Sequence, residues 1–171
     1  MRLEQVIAVV QALNEADVRY LIVGGLAVNA HGHVRYTNDL DLVISLEPAN
    51  IRRGLDTLAA IGYRPKIPVT STQFADPQLR ELWRAEKGMV VLNLWSDQQR
   101  ESPIDVFVHE PFDFATEYNS AKLFPLTDNI TAPFVSLPTL LRMKAEAGRP
   151  QDLIDITELK RSEEIRNRHE I

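Results

Sequence analysis

A chain of 171 residues, 44% hydrophobic and 25% charged, is long enough for one domain with a sizeable core and has an ordinary globular composition. It contains no cysteine, which excludes disulfides, thiolate metal sites and a cysteine nucleophile. The net charge of −5 argues against an extended duplex-binding surface but leaves room for a local basic patch beside an acidic site.

Leu3, Val6, Ile7, Val10 and Leu13 recur at helical spacing and predict an amphipathic helix over residues 2–16. Residues 20–23 read as a short buried strand, broken by Gly24-Gly25, after which residues 26–30 start a helix. Residues 39–45 form the second strand. Pro48 suits the first position of a helix whose apolar face, Ile51, Leu55, Leu58 and Ala59, runs up to Gly62. Residues 63–85 carry Pro65, Pro68 and Pro77, and predict a short strand at 63–66, a loop, and a helical turn at 78–84. Strands follow at 89–95 and 104–108, joined by a polar connection at 96–103 that is compatible with a hairpin. One helical turn is expected at 111–116, and edge strands near 122–126 and 130–135. A helix over 137–147 ends at Gly148, and Pro150 begins another that runs to about Arg168. The order suggests an α/β layer architecture in a single domain over residues 1–171, with no repeat and no dividing linker. No apolar run nears 18 residues and no charged-then-apolar leader is present, so the expectation is a soluble cytoplasmic protein without a membrane partner.

The chemistry gathers in residues 23–45. Gly24-Gly25 is a diglycine turn after an apolar strand, with bare backbone where a phosphate can approach a helix N-terminus. Asp39 and Asp41 stand at i and i+2 in the next strand, so both point one way while Leu40 and Leu42 point the other. Parallel carboxylates hold hard divalent cations through oxygen, and a metal pair serves in-line phosphoryl transfer. Asp-x-Asp alone is common by chance. Its weight here comes from the apolar setting, because an unpaired buried charge is costly and Asp105, between Ile104 and Val106, repeats the problem.

Gly24-Gly25 followed by Arg35-x-Thr37-x-Asp39-x-Asp41 resembles the polymerase-β-like nucleotidyltransferase superfamily, most closely its small bacterial branch of abortive-infection, toxin-like (AbiEii-type) members. Asp105 in Ser102-Pro-Ile-Asp-Val-Phe-Val108 resembles the third acid of the family. Residues 143–155, with Lys144, Gly148-Arg149 and Asp152, resemble its downstream element. The resemblance spans roughly residues 18–157. It implies the nucleotidyltransferase fold, a mixed, partly antiparallel sheet with helices packed on it. It also implies a Mg²⁺-dependent enzyme, with two ions the expected number, using a nucleoside triphosphate. Asp39 and Asp41 would hold the metal, with Asp105 near it and helping to activate an acceptor hydroxyl. Gly24 and Gly25 would hold the phosphates, and Lys144 would touch them, oriented by Asp152. The acceptor implied is a transfer-RNA 3′ end, a protein hydroxyl or a small drug, and a toxin would have an antitoxin protein as partner. A binding or regulatory module of the same fold, without turnover, is the alternative.

Each residue also has a plainer reading. Gly24 and Gly25 can be a tight turn and nothing more. Arg35 either neutralises triphosphate charge or pairs with Asp39 or Asp41, and Thr37 contacts phosphate or loop backbone. Asp105 can be a strand-edge carboxylate facing solvent, and Lys144 a surface lysine. Asp152 and Asp155 lie in the first turns of the last helix, where acids favour the dipole. His31 and His33 invite a zinc site, which their i, i+2 spacing and the lack of other ligands make poor. Trp83 and Trp95 are candidates for stacking on a base, with packing the favoured role for Trp95.

Overall fold

The computed structural model describes residues 2–98 and 102–169. Among them, eight helices and seven strands run α1 (Leu3–Glu15), β1 (Tyr20–Ile22), α2 (Gly24–Ala30), β2 (Leu40–Ile44), α3 (Pro48–Ala60), β3 (Arg64–Pro65), α4 (Ser71–Ala75), α5 (Pro77–Lys87), β4 (Val91–Trp95), β5 (Ile104–Phe107), α6 (Phe114–Asn119), β6 (Lys122–Pro125), β7 (Thr131–Phe134), α7 (Leu137–Ala147) and α8 (Pro150–His169). The strands form one mixed sheet in the order β3-β4-β5-β2-β1-β7-β6. β2 runs antiparallel to β1 and parallel to β5, and β4 antiparallel to β5, as the expected hairpin requires. Residues 99–101 of that connection lie outside the described residues.

Strand alternation divides the sheet into two faces. Leu40 and Leu42 register with Ile104 and Val106, and these with Leu94 and Leu92, so one face is a continuous apolar layer. Gly54 of α3 lies against the Ile44 and Val18 side chains on this face, and α1 packs beside α3 through Val6, Val9, Val10 and Leu13. The other face carries Asp41. There α2 packs on β2, α7 on α2 and α8 on α7. The β5, β4 and β3 part of this second face has few covering side chains: Asn93, Trp95, Arg64 and Lys66 are exposed and Asp105 half-buried.

Residues 66–87 differ from the expectation. What reads as a loop and a helical turn is two helices, α4 and α5. Thr70 and Gln73 form a reciprocal capping box at α4, and Asp76 accepts from the Gln78 and Leu79 backbone N–H groups at α5. Pro77 occupies the first turn of α5, where its missing N–H costs nothing, so it starts the helix rather than interrupting it. Phe74 is fully buried and stacks on Trp83, ring centroids 6.4 Å apart, which seats both helices. Trp83 is therefore a packing residue. Trp95 is not: it is 38% exposed, against the expectation that it packs. The turn expected at 111–116 forms later, as α6 capped by Asp113.

Candidate active site

Two neighbouring strands bring the acids together. β2 and β5 are parallel and place Asp41 directly beside Asp105, both on the face opposite the apolar layer. Asp39 precedes β2 by one residue and keeps the same side. Oxygens of Asp39, Asp41 and Asp105 all lie within 4.8 Å of one another, and among the described residues this is the group of acids and histidines able to hold a metal. β5 lies between β4 and β2, so Asp105 is a half-buried carboxylate of an inner strand and not a strand-edge acid facing solvent. Asn93 Nδ2 donates to its Oδ1 at 2.6 Å, and Thr37 Oγ1 donates to Asp39 Oδ1 at 3.2 Å. Burial, then the charges of Asp39 and Asp105, push the Asp41 carboxyl up to about 7. Burial likewise raises Asp105, with Asn93 opposing and Asp39 adding to the shift. These are crowded oxygen donors with too much negative charge for their volume. Mg²⁺ binds oxygens at about 2.0–2.1 Å, so two ligands of one ion lie at most about 4.2 Å apart, and a slight closure of the trio meets that geometry.

The diglycine turn serves the acids before it serves any ligand. Gly24 has φ +62°, a left-handed conformation that glycine adopts freely. A Cβ on Gly24 would overlap the Asp41 carboxylate. A Cβ on Gly25 would lie 2.8 Å from Thr37 Cβ, and the Gly25 N–H donates to Asp41. The absence of side chains lets the start of α2 close on Asp41 of β2 and on Thr37 of the loop before it. α2 itself begins at Gly24, two residues before the predicted start.

A second, cationic cluster faces the acids from α7 and α8. Lys144 is buried and its Nζ bridges Asp152 Oδ1 at 2.8 Å and Asp155 Oδ2 at 2.7 Å. Arg35, on the loop between α2 and β2, places Nε 2.8 Å from Asp155 Oδ1, so its partner is Asp155 and neither Asp39 nor Asp41. Arg149 Nε binds Asp152 Oδ2 at 2.7 Å while its side chain stays 74% exposed. Burial pushes the Asp152 carboxyl upward, but hydrogen bonds from Arg149 and Lys144 outweigh it and hold it at about 2. Burial of Asp155 is outweighed in the same way by Lys144, Gln151 and Arg35, and its carboxyl is lowered. The pair Asp152 and Asp155 is thus the anchor of three cations, not an ornament of the helix dipole. Asp155, Arg149 and Asn93 are site residues that the sequence reading did not select. The usable signal was the i, i+3 spacing of Asp152 and Asp155, which puts both on one helix face.

Between the clusters lies an open cleft of about 1060 Å³. Its polar wall includes Gly24, Gly25, Arg35, Thr37, Lys144 and Arg149, and its floor the three acids. An apolar wall of Val91, Phe107, Leu140 and Met143 continues toward α5. The histidines of the zinc reading are elsewhere. His31 is buried, with Nε2 2.8 Å from the Val135 carbonyl and its ring edge-on to Phe124, which makes it a core residue.

No protein-family model and no curated protein sequence matches this chain. Solved structures do. The lincosamide antibiotic adenylyltransferase LnuA, with lincomycin bound, superposes with a TM-score of 0.56 at 13% identity, over 92% of this chain and 95% of that one. An antigenic nucleotidyltransferase-like protein from Paracoccidioides brasiliensis superposes with a TM-score of 0.52 at 19% identity, over 92% of this chain and 74% of that one. The mixed sheet with helices on both faces is the nucleotidyltransferase fold.

Proposed function

We propose that this protein, acting as one domain, is a nucleotidyltransferase that moves a nucleotidyl group from a nucleoside triphosphate to an acceptor hydroxyl. The observation that carries the reading is the convergence of Asp39, Asp41 and Asp105 within 4.8 Å on the floor of a cleft whose facing wall is cationic. Asp39 and Asp41 are the ligands assigned to Mg²⁺, with Asp105 within reach of the same ions. The bound metal would supply charge neutralisation at the phosphoryl oxygens. Arg149 and Lys144, backed by Asp152 and Asp155, give the triphosphate a fixed positive wall, and the Gly24 and Gly25 backbone lies beside it. Asp105 would orient the acceptor hydroxyl and take its proton. The oxygen attacks the α-phosphorus, and pyrophosphate leaves from the opposite side. Positioning and preorganised charge, rather than a covalent intermediate, do this work.

The acceptor classes in this proposal are an RNA 3′ end, a protein hydroxyl and a small molecule. The lincomycin bound to LnuA is an example of the last. The resemblance of residues 24–41 to toxin-like members extends the proposal to a toxin of a toxin–antitoxin pair, with the antitoxin protein as partner. The test is incubation with each α-labelled triphosphate and Mg²⁺ over a panel of short RNAs, proteins and hydroxylated antibiotics. Pyrophosphate release together with label on one acceptor class is the expected result. Calorimetric binding of a triphosphate with no release over the whole panel would overturn it in favour of a non-catalytic module.

A further inference from the structure

The cleft has two arms that meet at the acids, and their chemistry is opposite. One arm is cationic: Lys144, Arg149 and Arg35 line it, with the Gly24 and Gly25 backbone beside them. The other runs toward α5, and its floor follows from the register. Val91 of β4 is directly opposite Phe107 of β5, one alternation step beyond Asn93 and Asp105. Pairing continues past the end of β5, since the Val108 N–H donates to the Val90 carbonyl. Residues at i and i+2 share a face, so Asp105, Phe107 and His109 form one row. At about 3.3 Å per residue, Phe107 lies about 7 Å and His109 about 13 Å along the chain from Asp105. Leu140 and Met143 of α7 wall this arm.

The α5-side arm is balanced in charge. Arg84, which borders it, is held by Glu81 at 3.0 Å. Burial, then the charge of Arg84, pushes the His109 imidazole down against the opposing Glu81, so the ring is neutral at pH 7. Its Nδ1 is buried without a hydrogen-bond partner, so that nitrogen does not anchor the ring. The ring packs on Phe107 instead, with centroids 5.9 Å apart and planes at 57°. Together they form an aromatic floor that turns up at its far end. A nucleoside triphosphate has the same two-ended chemistry. On one side of its α-phosphorus is a polyanion, on the other a ribose and an aromatic base. With the α-phosphate at the acids, the polyanion meets the cationic arm and the ribose spans the step from Asp105 to Phe107. The base then lies on the Phe107 ring, a contact open to every base because every base has a π-face. The fused rings of a purine extend along the row to His109, whereas a single pyrimidine ring ends over Phe107.

We propose that the α5-side arm is the nucleobase subsite, with Phe107 its stacking surface, and that His109 at the end of the row selects purines over pyrimidines. The proposal rests on the nucleotidyl-transfer reading. It gives both residues a role in specificity, since neither touches the reacting atoms. Glu81 and Arg84 are both exposed, so the distal edge of the base meets solvent and the arm takes adenine and guanine alike.

The test is calorimetric titration of ATP, GTP, CTP, UTP and inorganic tripolyphosphate in excess Mg²⁺ without acceptor, followed by pyrophosphate release over the acceptor panel. ATP and GTP should bind most tightly, CTP and UTP less, and tripolyphosphate least. Phe107→Ala should weaken the nucleotides by about 5- to 150-fold, the range for losing one base–aromatic stack, and leave tripolyphosphate unchanged. Phe107→Leu, which keeps an apolar side chain and removes the π-face, should show the same selective loss and serves if Phe107→Ala does not fold. His109→Ala should cost ATP and GTP affinity and spare CTP, UTP and tripolyphosphate. Tripolyphosphate binding as tight as that of every nucleotide overturns the base subsite and leaves the transfer reading standing, as does wild-type nucleotide affinity in the Phe107 variants. Equal affinity for purines and pyrimidines, or equal loss of all four nucleotides in His109→Ala, overturns the selection by His109. The expected binding pattern with no pyrophosphate released over the whole panel supports the base subsite and overturns the transfer reading.

Discussion

Asp41 is where the competing demands on this molecule meet. It is half-buried beside two other acids and takes a hydrogen bond from Gly25, and its carboxyl is raised to about 7. The unfolded chain titrates near about 3.9, so the folded state holds the proton more tightly and stability from that proton is full at low pH. It is lost as pH rises from about 4 through about 7. In metal-free solution Asp41→Asn should therefore melt above the wild type at pH 8, with the gap closing toward pH 4. A gap of equal size across that range in chelator-treated melting curves would show that Asp41 is not titrating as its surroundings dictate. The same substitution, like Asp39→Asn and Asp105→Asn, should cut nucleotidyl transfer by about a hundredfold or more. Full activity in Asp39→Asn and Asp41→Asn would end the enzyme reading. The acids were legible because strand alternation alone aligns Asp39 with Asp41, and because Asp105 sits in an equally apolar strand. Asp155 was not, since its partners lie on other elements, Arg35 far upstream and Lys144 on the preceding helix, and an acid early in a helix already has a local explanation. Lys144 looked like a surface residue from its spacing alone, and only the family resemblance marked it as a site residue; it is 4% exposed.

The elements that carry these residues are clamped by two contacts, one of size and one of charge. Gly25 of α2 touches the loop before β2 at Thr37. Gly25→Ala should force the two apart and cost about 1–3 kcal/mol, as overpacking does. Adding Thr37→Gly should recover part of that loss in a double-mutant cycle, and strict additivity would count against the contact. The second clamp joins α7 to α8 through Lys144. Removing it leaves Asp152 and Asp155 buried with less compensation, so Lys144→Ala should destabilise the fold by about 3–5 kcal/mol. Urea denaturation reads this directly, and a loss below about 1 kcal/mol would mean that Arg149 and Arg35 carry the pair alone. Most elements were readable because their apolar positions keep one period, as in α1 and α3, or because a proline or glycine marks an end, as Gly148 does for α7. The stretch holding α4 and α5 was not. Its prolines suggested breaks, whereas the Thr70 and Asp76 caps turn the same residues into helix starts. Beyond the β4–β5 hairpin, sheet order was not legible, since β1 to β7 and β2 to β5 are long-range pairings set by packing.

At the scale of the whole molecule, the acids lie on the sheet and Lys144 and Arg149 on the α7–α8 layer, with the cleft between them and Arg35 joining the two. No described helix is long and apolar enough to cross a membrane, and the cleft of about 1060 Å³ between acids and cations is where a bound ligand would add stability. The protein should therefore be stabilised by a nucleoside triphosphate together with Mg²⁺, and much less by Mg²⁺ alone. The trio of carboxylates repels itself when empty, while a triphosphate supplies oxygen ligands that the metal needs and engages Lys144 and Arg149 in the facing wall. A ligand at a hundredfold its dissociation constant adds about 2.7 kcal/mol. For a chain of this size each kcal/mol raises the melting temperature by about 2–4 °C, so the joint shift should be several degrees. It should vanish in Asp39→Ala/Asp41→Ala, which keeps the cationic wall and removes the metal ligands. Should that double variant keep the full shift, the triphosphate is held by the wall alone and the acids have another role. Should no triphosphate at millimolar concentration move the wild-type curve while a peptide, drug or partner protein does, the cleft binds something other than nucleotide and the non-catalytic module is the better account.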